Sequence, residues 1–397
     1  MEDQACEKVS HKLKGMEDSA IEEMRRLGEK KERSGEKVIY LQAGEPDFDT
    51  PEIVKKAAIE GLLKGYTHYT PPEGLIELRE VIADKLKTEN QIIADPYSEI
   101  TVTNGSYFGL FLACMACLNP GDEVLISSLA FGSHIEIIRL AGGKPVLVDL
   151  QEEKGQFRWK EDALKKKINE RTKTILICSP NNPTGSVMKK SEVKMICDIA
   201  KRYNLMIISD ELYEKIIFDN NQHHSPASLS EDAKNRTITI NSFSKTYAMT
   251  GWRLGYVVAN PIITKAMRML LARTARCASS FIQFSGIVCL RERERVYNHM
   301  IDEYKKRRAY IVSRLNQIKG LVCPYPEGTF YAFFSIKDIG MNSRDFTCYL
   351  LNEENVVLTP GEYFGSKGKY YVRLSFATSM ENLEIGIEAI RRGLDKL

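Results

Sequence analysis

Residues Asn241 to Tyr256 read Asn-Ser-Phe-Ser-Lys-Thr-Tyr-Ala-Met-Thr-Gly-Trp-Arg-Leu-Gly-Tyr and follow a short apolar run, Thr237–Ile240, that is typical of a buried strand. The lysine of this segment, Lys245, could form a Schiff base with an aldehyde cofactor, because a lysine amine becomes nucleophilic when burial or a nearby cation lowers its pKa. Two hydroxyls and a guanidinium lie beside it in sequence and could bind the phosphate of such a cofactor. These groups belong to Ser242, Ser244 and Arg253.

On both sides of this segment, short apolar strands alternate with helices. The predicted strands are Ile100–Thr103, Val124–Ser127, Pro145–Leu150, Thr174–Cys178, Leu205–Ser209, Thr237–Ile240 and Gly255–Val258. Such alternation requires crossover connections and predicts an α/β fold whose central sheet is mostly parallel and covered on both faces. Ligands bind beyond the carboxyl ends of such strands, and we predict that the polar residues found there line one pocket. These residues are Asn104–Ser106, Asn181–Gly185, Asp210 and Lys245.

The length of 397 residues exceeds what one hydrophobic core usually organises, and the remaining sequence predicts a second, smaller α+β domain. A charged helix, Arg291–Ile318, precedes residues 328–336, where aromatic side chains alternate as in an antiparallel strand. Apolar spacing over residues 17–29 predicts a peripheral amphipathic helix. The expected division is an N-terminal segment that is part of the small domain, a large domain and a C-terminal small domain, at residues 1–50, 51–290 and 291–397.

The composition excludes several classes of partner. With 56 basic and 53 acidic residues, the net charge of +3 is too balanced to predict binding of nucleic acid or of an anionic membrane surface. The N-terminus has no apolar signal-peptide core, and no stretch approaches the ~18 apolar residues of a membrane span, so we expect a soluble, cytoplasmic protein. The nine cysteines are scattered, which favours a reducing compartment, and core packing explains Cys114 and Cys117 better than a metal or redox site.

The Asn241–Tyr256 segment resembles the lysine motif of the pyridoxal-phosphate-dependent class I aminotransferases, which have fold type I. Further motifs extend the resemblance from Ala43 to about Ala377, and it looks closest to the aspartate/aromatic aminotransferase-like subgroup. The resemblance implies that the large domain binds pyridoxal 5′-phosphate. It also implies a homodimer with shared active sites that acts on amino acids and 2-oxo acids in amino-acid metabolism.

Three residues match the family's catalytic positions on the cofactor; they are Lys245, Asp210 and Tyr213. By the resemblance, Asp210 keeps the pyridine nitrogen protonated, so that the ring can accept electrons. The alternative for this residue is a helix N-cap, which an aspartate after a strand often forms. The Tyr213 hydroxyl would donate a hydrogen bond to the cofactor's phenolic oxygen and thereby lower the pKa of the imine.

The cofactor phosphate is expected at the start of the predicted helix Ser106–Leu118, because the free N–H groups of a helix N-terminus bind anions. The residues expected there are Gly105, Ser106 and Tyr107. The resemblance places Ser242, Ser244 and Arg253 around the same phosphate. Tyr69 matches a family tyrosine that reaches the phosphate of the neighbouring subunit.

The substrate carboxylate has three expected partners. Residues Asn181–Gly185 could form a simple turn, but they also match the family's asparagine–proline loop, in which Asn182 touches both the phenolic oxygen and the carboxylate. Pro183 is a candidate for a cis peptide bond. By the resemblance, Arg373 clamps the carboxylate through two hydrogen bonds, and the backbone of Gly44 meets the same group. A salt bridge inside the small domain is the alternative for Arg373, because a buried unpaired charge is very costly.

One segment departs from the family pattern. Many relatives have Ser-Pro-x-Tyr or a tryptophan where this chain has Ser-Leu-Ala-Phe at residues 128–131. Phe131 can still stack on the pyridine ring, although it lacks a hydrogen-bond donor. We expect His134 to lie on a helix surface rather than to act in catalysis. Arg273 and Arg276 could reach the distal carboxylate of a dicarboxylic substrate, and exposed surface positions are the alternative.

The predicted reaction is ping-pong transamination, in which Lys245 moves the substrate's α-proton as general base and acid. The same residues also serve elimination, aminocyclopropane-carboxylate synthesis and oxygen-dependent oxidation, and the departure at residues 128–131 keeps these alternatives open. A non-catalytic ligand-sensing domain is disfavoured, because Lys245, Asp210 and Arg373 are all present.

Overall fold

The computed structural model of the chain describes Ser10, Leu13 and residues 19–397. Its helices are α1 Ala20–Arg33, α2 Glu52–Leu63, α3 Ile76–Lys85, α4 Ser106–Cys117, α5 Gly132–Leu140, α6 Glu161–Lys165, α7 Lys190–Arg202, α8 Glu231–Arg236, α9 Pro261–Arg273, α10 Ser280–Arg291, α11 Arg293–Leu315, α12 Ser343–Glu354 and α13 Met380–Asp395. None of the helices in the described part of the chain has the length and hydropathy of a membrane-spanning segment. Cys6 and the predicted helix start at residue 17 lie outside the described residues.

The strands are β1 Ile39–Tyr40, β2 Ile100–Thr103, β3 Glu123–Ser127, β4 Lys144–Val148, β5 Gln151–Glu153, β6 Gln156–Arg158, β7 Thr172–Cys178, β8 Met206–Asp210, β9 Thr237–Ser242, β10 Gly255–Val258, β11 Tyr331–Ser335, β12 Val356–Val357, β13 Thr359–Pro360 and β14 Tyr371–Ser375. In the described part of the chain, seven of them form the central sheet in the order β2-β10-β9-β8-β7-β3-β4. The pairs β4–β3, β3–β7, β7–β8 and β8–β9 are parallel, which confirms the predicted α/β fold with a mostly parallel sheet.

Both faces of the central sheet are covered, and consecutive strand residues show this. In β8, Ile208 packs with Leu110 of α4 in one hydrophobic cluster, whereas its neighbour Ile207 packs with Ile196 of α7 in another. Successive side chains of a strand point to opposite faces, so one strand contributes to two cores. This explains why the strands are continuous apolar runs rather than alternating ones.

The antiparallel strand β10 begins at the edge of the sheet where the parallel strands end. Strand β10 pairs with β2 and β9, with Gly255 opposite both Thr103 and Ser242. Because β10 runs in the opposite direction, the chain reaches this edge just before Gly255. Arg253 therefore lies at the same edge as the polar residues that follow β2 and β9.

A second, smaller sheet has the order β11-β14-β13 and carries Arg373 in the middle of β14. The predicted helix Arg291–Ile318 is confirmed as α11, Arg293–Leu315, and Glu292 separates it from α10. Helix α1 packs against β12 and β13, and Glu23 of α1 pairs with Arg344 at 2.6 Å. The boundaries proposed between the two domains stay predictions.

Candidate active site

A cavity of about 210 Å³ lies where these strand ends meet the small sheet. The predicted site residues that line it are Gly44, Ser106, Tyr107, Phe131, Asn182, Asp210, Tyr213, Ser244, Lys245, Arg253 and Arg373. Other lining residues were not among the predicted site residues; they are Ile21, His134, Cys178, Leu212 and Tyr331. The expectation that ligands bind beyond the carboxyl ends of the strands therefore located the cavity but did not identify all of the residues that line it.

Lys245 follows the end of β9 and is partly buried. Its Nζ donates a hydrogen bond to the carbonyl oxygen of Gly44 at 2.5 Å. Burial lowers the pKa of this amine to about 8; Glu45 opposes the shift, and Arg253 and Arg373 add to it. An amine with this pKa can act as a nucleophile and carry a proton near neutral pH.

The start of α4 and the Arg253 guanidinium form a cationic end of the cavity. Gly105 precedes α4 with φ 83° and has no side chain to cap the helix, and the N–H groups of the first turn have no partner within the helix. A Cβ atom on Gly105 would collide with the guanidinium of Arg253, so glycine permits this close approach. Ser244 lines the cavity, and the buried hydroxyl of Ser242, which does not line it, donates to Ser244 Oγ at 2.8 Å. Such N–H, hydroxyl and guanidinium donors suit a phosphate group.

Asp210 ends β8, is buried, and has His134 as its partner. Nε2 of His134 lies 3.0 Å from Oδ2 of Asp210, and the histidine is only 3% exposed. The prediction that His134 lies on a helix surface is therefore wrong, because the first turn of α5 faces the end of β8. The helix N-cap alternative for Asp210 is also wrong, because residues 212–215 form a turn and no helix begins directly after Asp210 in the described structure.

Arg373 is fully buried in β14, and its acceptors are neutral. Its guanidinium donates to Asn182 Oδ1 at 2.8 Å, to the carbonyl oxygen of Gln42 at 2.6 Å and to Thr359 Oγ1 at 3.3 Å, and its Nε has no partner among the described residues. The alternative of a salt bridge inside the small domain is therefore not what the described residues show. The Asn182–Pro183 peptide bond is cis, as predicted for Pro183. Because the charge is buried without a carboxylate partner, the site suits an anionic ligand.

Tyr213 has a partner that the sequence motifs did not indicate. Its hydroxyl lies 2.9 Å from the hydroxyl of Tyr331, and both residues are buried. The aromatic alternation of residues 328–336 predicted a strand there, but alternation does not say which ring faces a ligand cavity.

Phe131 and Tyr107 form an aromatic wall of the cavity, with stacked rings whose centroids are 6.0 Å apart. Tyr69 does not line this cavity, since it is 78% exposed and lies against the guanidinium of Arg276, 4.8 Å from the ring centroid. Arg273 is exposed as well, and its guanidinium donates to the Met269 carbonyl oxygen.

Comparisons with known proteins identify the family. A family model described as aminotransferase class I and II matches residues 36–390. The chain belongs to the class I and II aminotransferases. An aspartate aminotransferase of Pyrococcus abyssi is 46% identical over 359 residues, which cover 90% of this chain and 92% of the relative. The aromatic-amino-acid aminotransferase 2 of Thermococcus litoralis is 42% identical over 361 residues, with 90% and 92% covered.

A solved structure supports the same assignment at the level of the fold. The aromatic aminotransferase from Pyrococcus horikoshii is 44% identical and superposes with a TM-score of 0.88, covering 93% of this chain and 99% of its own. This aminotransferase is therefore an enzyme of amino-group transfer with the fold of that class. The three relatives are all named aminotransferases, and nothing in them favours the elimination, ring-forming or oxidative alternatives.

The class I and II aminotransferases use pyridoxal phosphate, and the residues of this cavity fit that group. The donors at the start of α4 and on Arg253 suit its phosphate, and Lys245 supplies an amine for its aldehyde. The close approach of Arg253 to Gly105 leaves no room for a side chain there, which keeps the helix N–H groups accessible. The guanidinium of Arg373, which has no carboxylate partner among the described residues, suits a second anion, the carboxylate of a substrate.

Proposed function

We propose that this aminotransferase holds pyridoxal phosphate in the cavity and transfers the amino group of an L-amino acid to a 2-oxo acid in a ping-pong reaction. The proposal rests on one observation: Lys245, Asp210 and Arg373 share one cavity. Burial lowers the pKa of the Lys245 amine to about 8, and the Arg373 guanidinium has no carboxylate partner among the described residues. These three groups meet separate requirements of the reaction: covalent attachment, electron withdrawal and substrate orientation.

Each end of the cavity would hold one part of the cofactor. Ser106, Ser244 and Arg253, with the N–H groups of the first turn of α4, would hold the phosphate. Asp210, positioned by His134, would meet the pyridine nitrogen. Phe131 would stack on the ring, with Asn182 and Tyr213 at the phenolic oxygen. When bound, pyridoxal phosphate supplies an electron sink for the charge left by removal of the substrate's α-proton.

The chain's own residues then handle the substrate and its proton. Arg373 binds the α-carboxylate and so orients the Cα–H bond. The backbone of Gly44 contacts the same carboxylate. Nζ of Lys245 takes the proton from Cα and returns it as general acid. Its lowered pKa matters here, because an amine that is largely neutral a little above pH 8 can accept a proton.

The substrate side chain would meet an apolar wall. Ile21 and Tyr107 line the cavity, and its described Lys and Arg side chains are Lys245, Arg253 and Arg373, each of which already has a role. This lining suits an apolar or aromatic substrate, as the name of the Thermococcus litoralis relative indicates for that protein. We propose such amino acids, with 2-oxoglutarate as a first acceptor to test, over a dicarboxylic donor.

The proposal includes a homodimer with shared active sites. Tyr69 lies at the surface of this chain, away from its own cavity, and would reach the phosphate of a neighbouring subunit. Sedimentation equilibrium of the wild type and of Tyr69→Phe tests the dimer, and we expect the two proteins to dimerise equally. We also expect the variant to retain the cofactor less tightly. The cytoplasmic location stays a prediction.

Borohydride reduction tests the attachment of the cofactor directly. The protein is incubated with pyridoxal phosphate, reduced and digested, and mass spectrometry should find the added phosphopyridoxyl group on the peptide that contains Lys245. Lys194→Ala, at an exposed lysine paired with Asp198 on α7, is the matched control and should label like the wild type. Labelling at other lysines with none at Lys245 would contradict the proposal.

A donor screen then defines the reaction. Amino acids with aromatic, apolar and acidic side chains are each offered with 2-oxoglutarate, and product amino and oxo acids are measured together. We expect equal amounts of the two products and the highest kcat/KM for an aromatic or large apolar donor. Release of ammonia without a new amino acid would overturn the transamination proposal.

A further inference from the structure

Tyr331 lies between three groups of the site. Its hydroxyl is 2.9 Å from the hydroxyl of Tyr213. Its ring centroid is 4.2 Å from the guanidinium carbon of Arg373. A Cβ atom on Gly44 would collide with the Tyr331 hydroxyl, so this hydroxyl lies against the residue whose carbonyl accepts the Lys245 hydrogen bond. One side chain therefore connects the cofactor-facing tyrosine with the carboxylate clamp.

The backbone fixes the position of Tyr331 relative to the turn that carries Tyr213. The N–H of Tyr331 donates to Thr329 Oγ1 at 3.1 Å, and Thr329 itself adopts φ 66°. The N–H of Thr329 donates to the carbonyl oxygen of Ile216 at 2.8 Å, three residues after Tyr213. A further backbone bond joins Phe218 to Glu327 at 2.9 Å. These main-chain contacts join the segment after Tyr213 to the segment before Tyr331 and so hold the two hydroxyls near each other.

The hydrogen bond between the two hydroxyls has two possible directions. A tyrosine hydroxyl has one proton to donate and can also accept. If Tyr213 donates to Tyr331, its proton is not available to a ligand. If Tyr331 donates to Tyr213, the Tyr213 proton is free for the ligand, and a donor that is itself hydrogen-bonded becomes a stronger donor.

We propose that Tyr331 is a positioning residue that acts through Tyr213 and Arg373. Its hydroxyl turns the Tyr213 proton toward the phenolic oxygen of the cofactor, and its ring supports the guanidinium that binds the substrate carboxylate. This inference rests on the proposed function, because it requires the cofactor to occupy the cavity.

The groups that face this network set the background for a pH measurement. Arg373, Tyr213 and Cys178 face Tyr331, while Glu45, Asp210, Arg253 and Arg373 surround the Lys245 amine. Conservative variants at Tyr213 and Tyr331 leave these charged groups in place. A change in titration can therefore be assigned to the two hydroxyls.

Tyr331→Phe removes the hydroxyl and retains the ring. In the cofactor-loaded enzyme, a weaker Tyr213 donor should raise the pH midpoint of the cofactor's absorbance change by about 0.3–0.7 pH units, a two- to fivefold change in the proton affinity. Once Tyr213 is replaced by Phe, the additional Tyr331→Phe substitution should move the midpoint by less than about 0.1 unit, because the hydroxyl then has nothing to orient.

Tyr331→Leu removes the ring as well and tests the contact with Arg373. Relative to Tyr331→Phe, we expect KM for the amino acid to rise about three- to tenfold with a smaller change in kcat, since the ring supports the guanidinium that binds the carboxylate. An equal KM for the two variants would overturn this half of the inference.

Tyr304→Phe is the matched control. Tyr304 is a buried tyrosine whose ring lies 5.4 Å from that of Phe330, and its hydroxyl has no partner among the described residues. Its midpoint should equal that of the wild type. A Tyr331→Phe midpoint equal to the wild type, with the cofactor still attached at Lys245 after borohydride reduction, would overturn this inference alone. Absence of that adduct in the wild type would overturn the proposed function and the inference together.

Discussion

Lys85 is buried and Lys245 is partly buried, and their amines have different partners. Lys85 ends α3 and is 1% exposed; its Nζ pairs with the Glu214 carboxylate and donates to Asn90 Oδ1 at 2.8 Å. Burial would raise the pKa of Glu214, but Lys85 and His223 hold it at about 2. The amine of Lys245 donates instead to a neutral carbonyl oxygen, and burial lowers its pKa to about 8.

The difference separates a structural cation from a reactive one. A buried ion pair with its hydrogen bonds satisfied fixes the elements that carry it, here α3 and the turn that holds Tyr213 next to Glu214. A buried cation whose hydrogen-bond acceptors are neutral retains the capacity to bind an anion or to lose its proton. Arg373 belongs to this second class, because its acceptors are an amide, a carbonyl and a hydroxyl.

The largest expected effect comes from removing the reactive lysine. Lys245→Ala should lower kcat/KM by at least about 10⁴-fold, because the variant lacks the amine that we propose moves the α-proton. The thermal midpoint of the cofactor-free protein should stay equal or rise, since a buried amine without an anionic partner is lost. Steady-state assays and circular dichroism measure the two effects. Activity within tenfold of the wild type would contradict the assignment of Lys245.

The paired lysine should show the opposite behaviour. Lys85→Met should lower the free energy of unfolding by roughly 3–5 kcal/mol, because the Glu214 carboxylate is left buried without its cation. The kcat of the folded fraction should fall far less than in Lys245→Ala. Urea denaturation of the cofactor-free protein measures the loss, and Lys85→Met combined with Glu214→Leu should recover most of it. A stable but inactive Lys85→Met variant would break the contrast between the two lysines.

A smaller effect is expected at the second unpaired cation. Arg373→Lys keeps the charge but loses the planar fork, so KM for the amino acid should rise about 10- to 100-fold while kcat changes less. Inhibition by a non-reactive carboxylate analogue should weaken by the same factor. If kcat falls and KM is unchanged, Arg373 does not bind the substrate carboxylate in the ground state.

The smallest effect is the pH dependence of stability that Lys245 contributes. Its pKa is about 8 in the folded chain and 10.5 as the ordinary value, so between these values the unfolded chain binds more protons and stability rises with pH. Relative to Lys245→Met, the cofactor-free wild type should gain roughly 1–2 kcal/mol between pH 8 and pH 10.5. Urea midpoints of both proteins across this range test the sign. A difference that is constant with pH would place the pKa of Lys245 near its ordinary value.

Much of the site followed from the rule that ligands bind at the carboxyl ends of parallel strands. Asp210, Asn182 and Lys245 each come soon after an apolar run, and the structure brings all three to one cavity. His134 did not follow from this rule, because a histidine in the first turn of a helix can face solvent or the sheet. Which way it faces depends on how α5 packs against β8, and the sequence of α5 does not specify that packing.

Local sequence determined the fold class, the family and the reactive lysine, because strand and helix periodicity and the order of short motifs are properties of neighbouring residues. The tertiary structure decided which polar groups are paired. The contacts His134–Asp210, Tyr213–Tyr331 and Lys85–Glu214 join residues that are 76, 118 and 129 positions apart. Burial and pairing set the reactivity of a lysine, and both depend on contacts at these separations. The sequence therefore identified Lys245 as the candidate, and the packing around it gives its amine a carbonyl acceptor and, within the described part of the chain, no carboxylate hydrogen-bond partner.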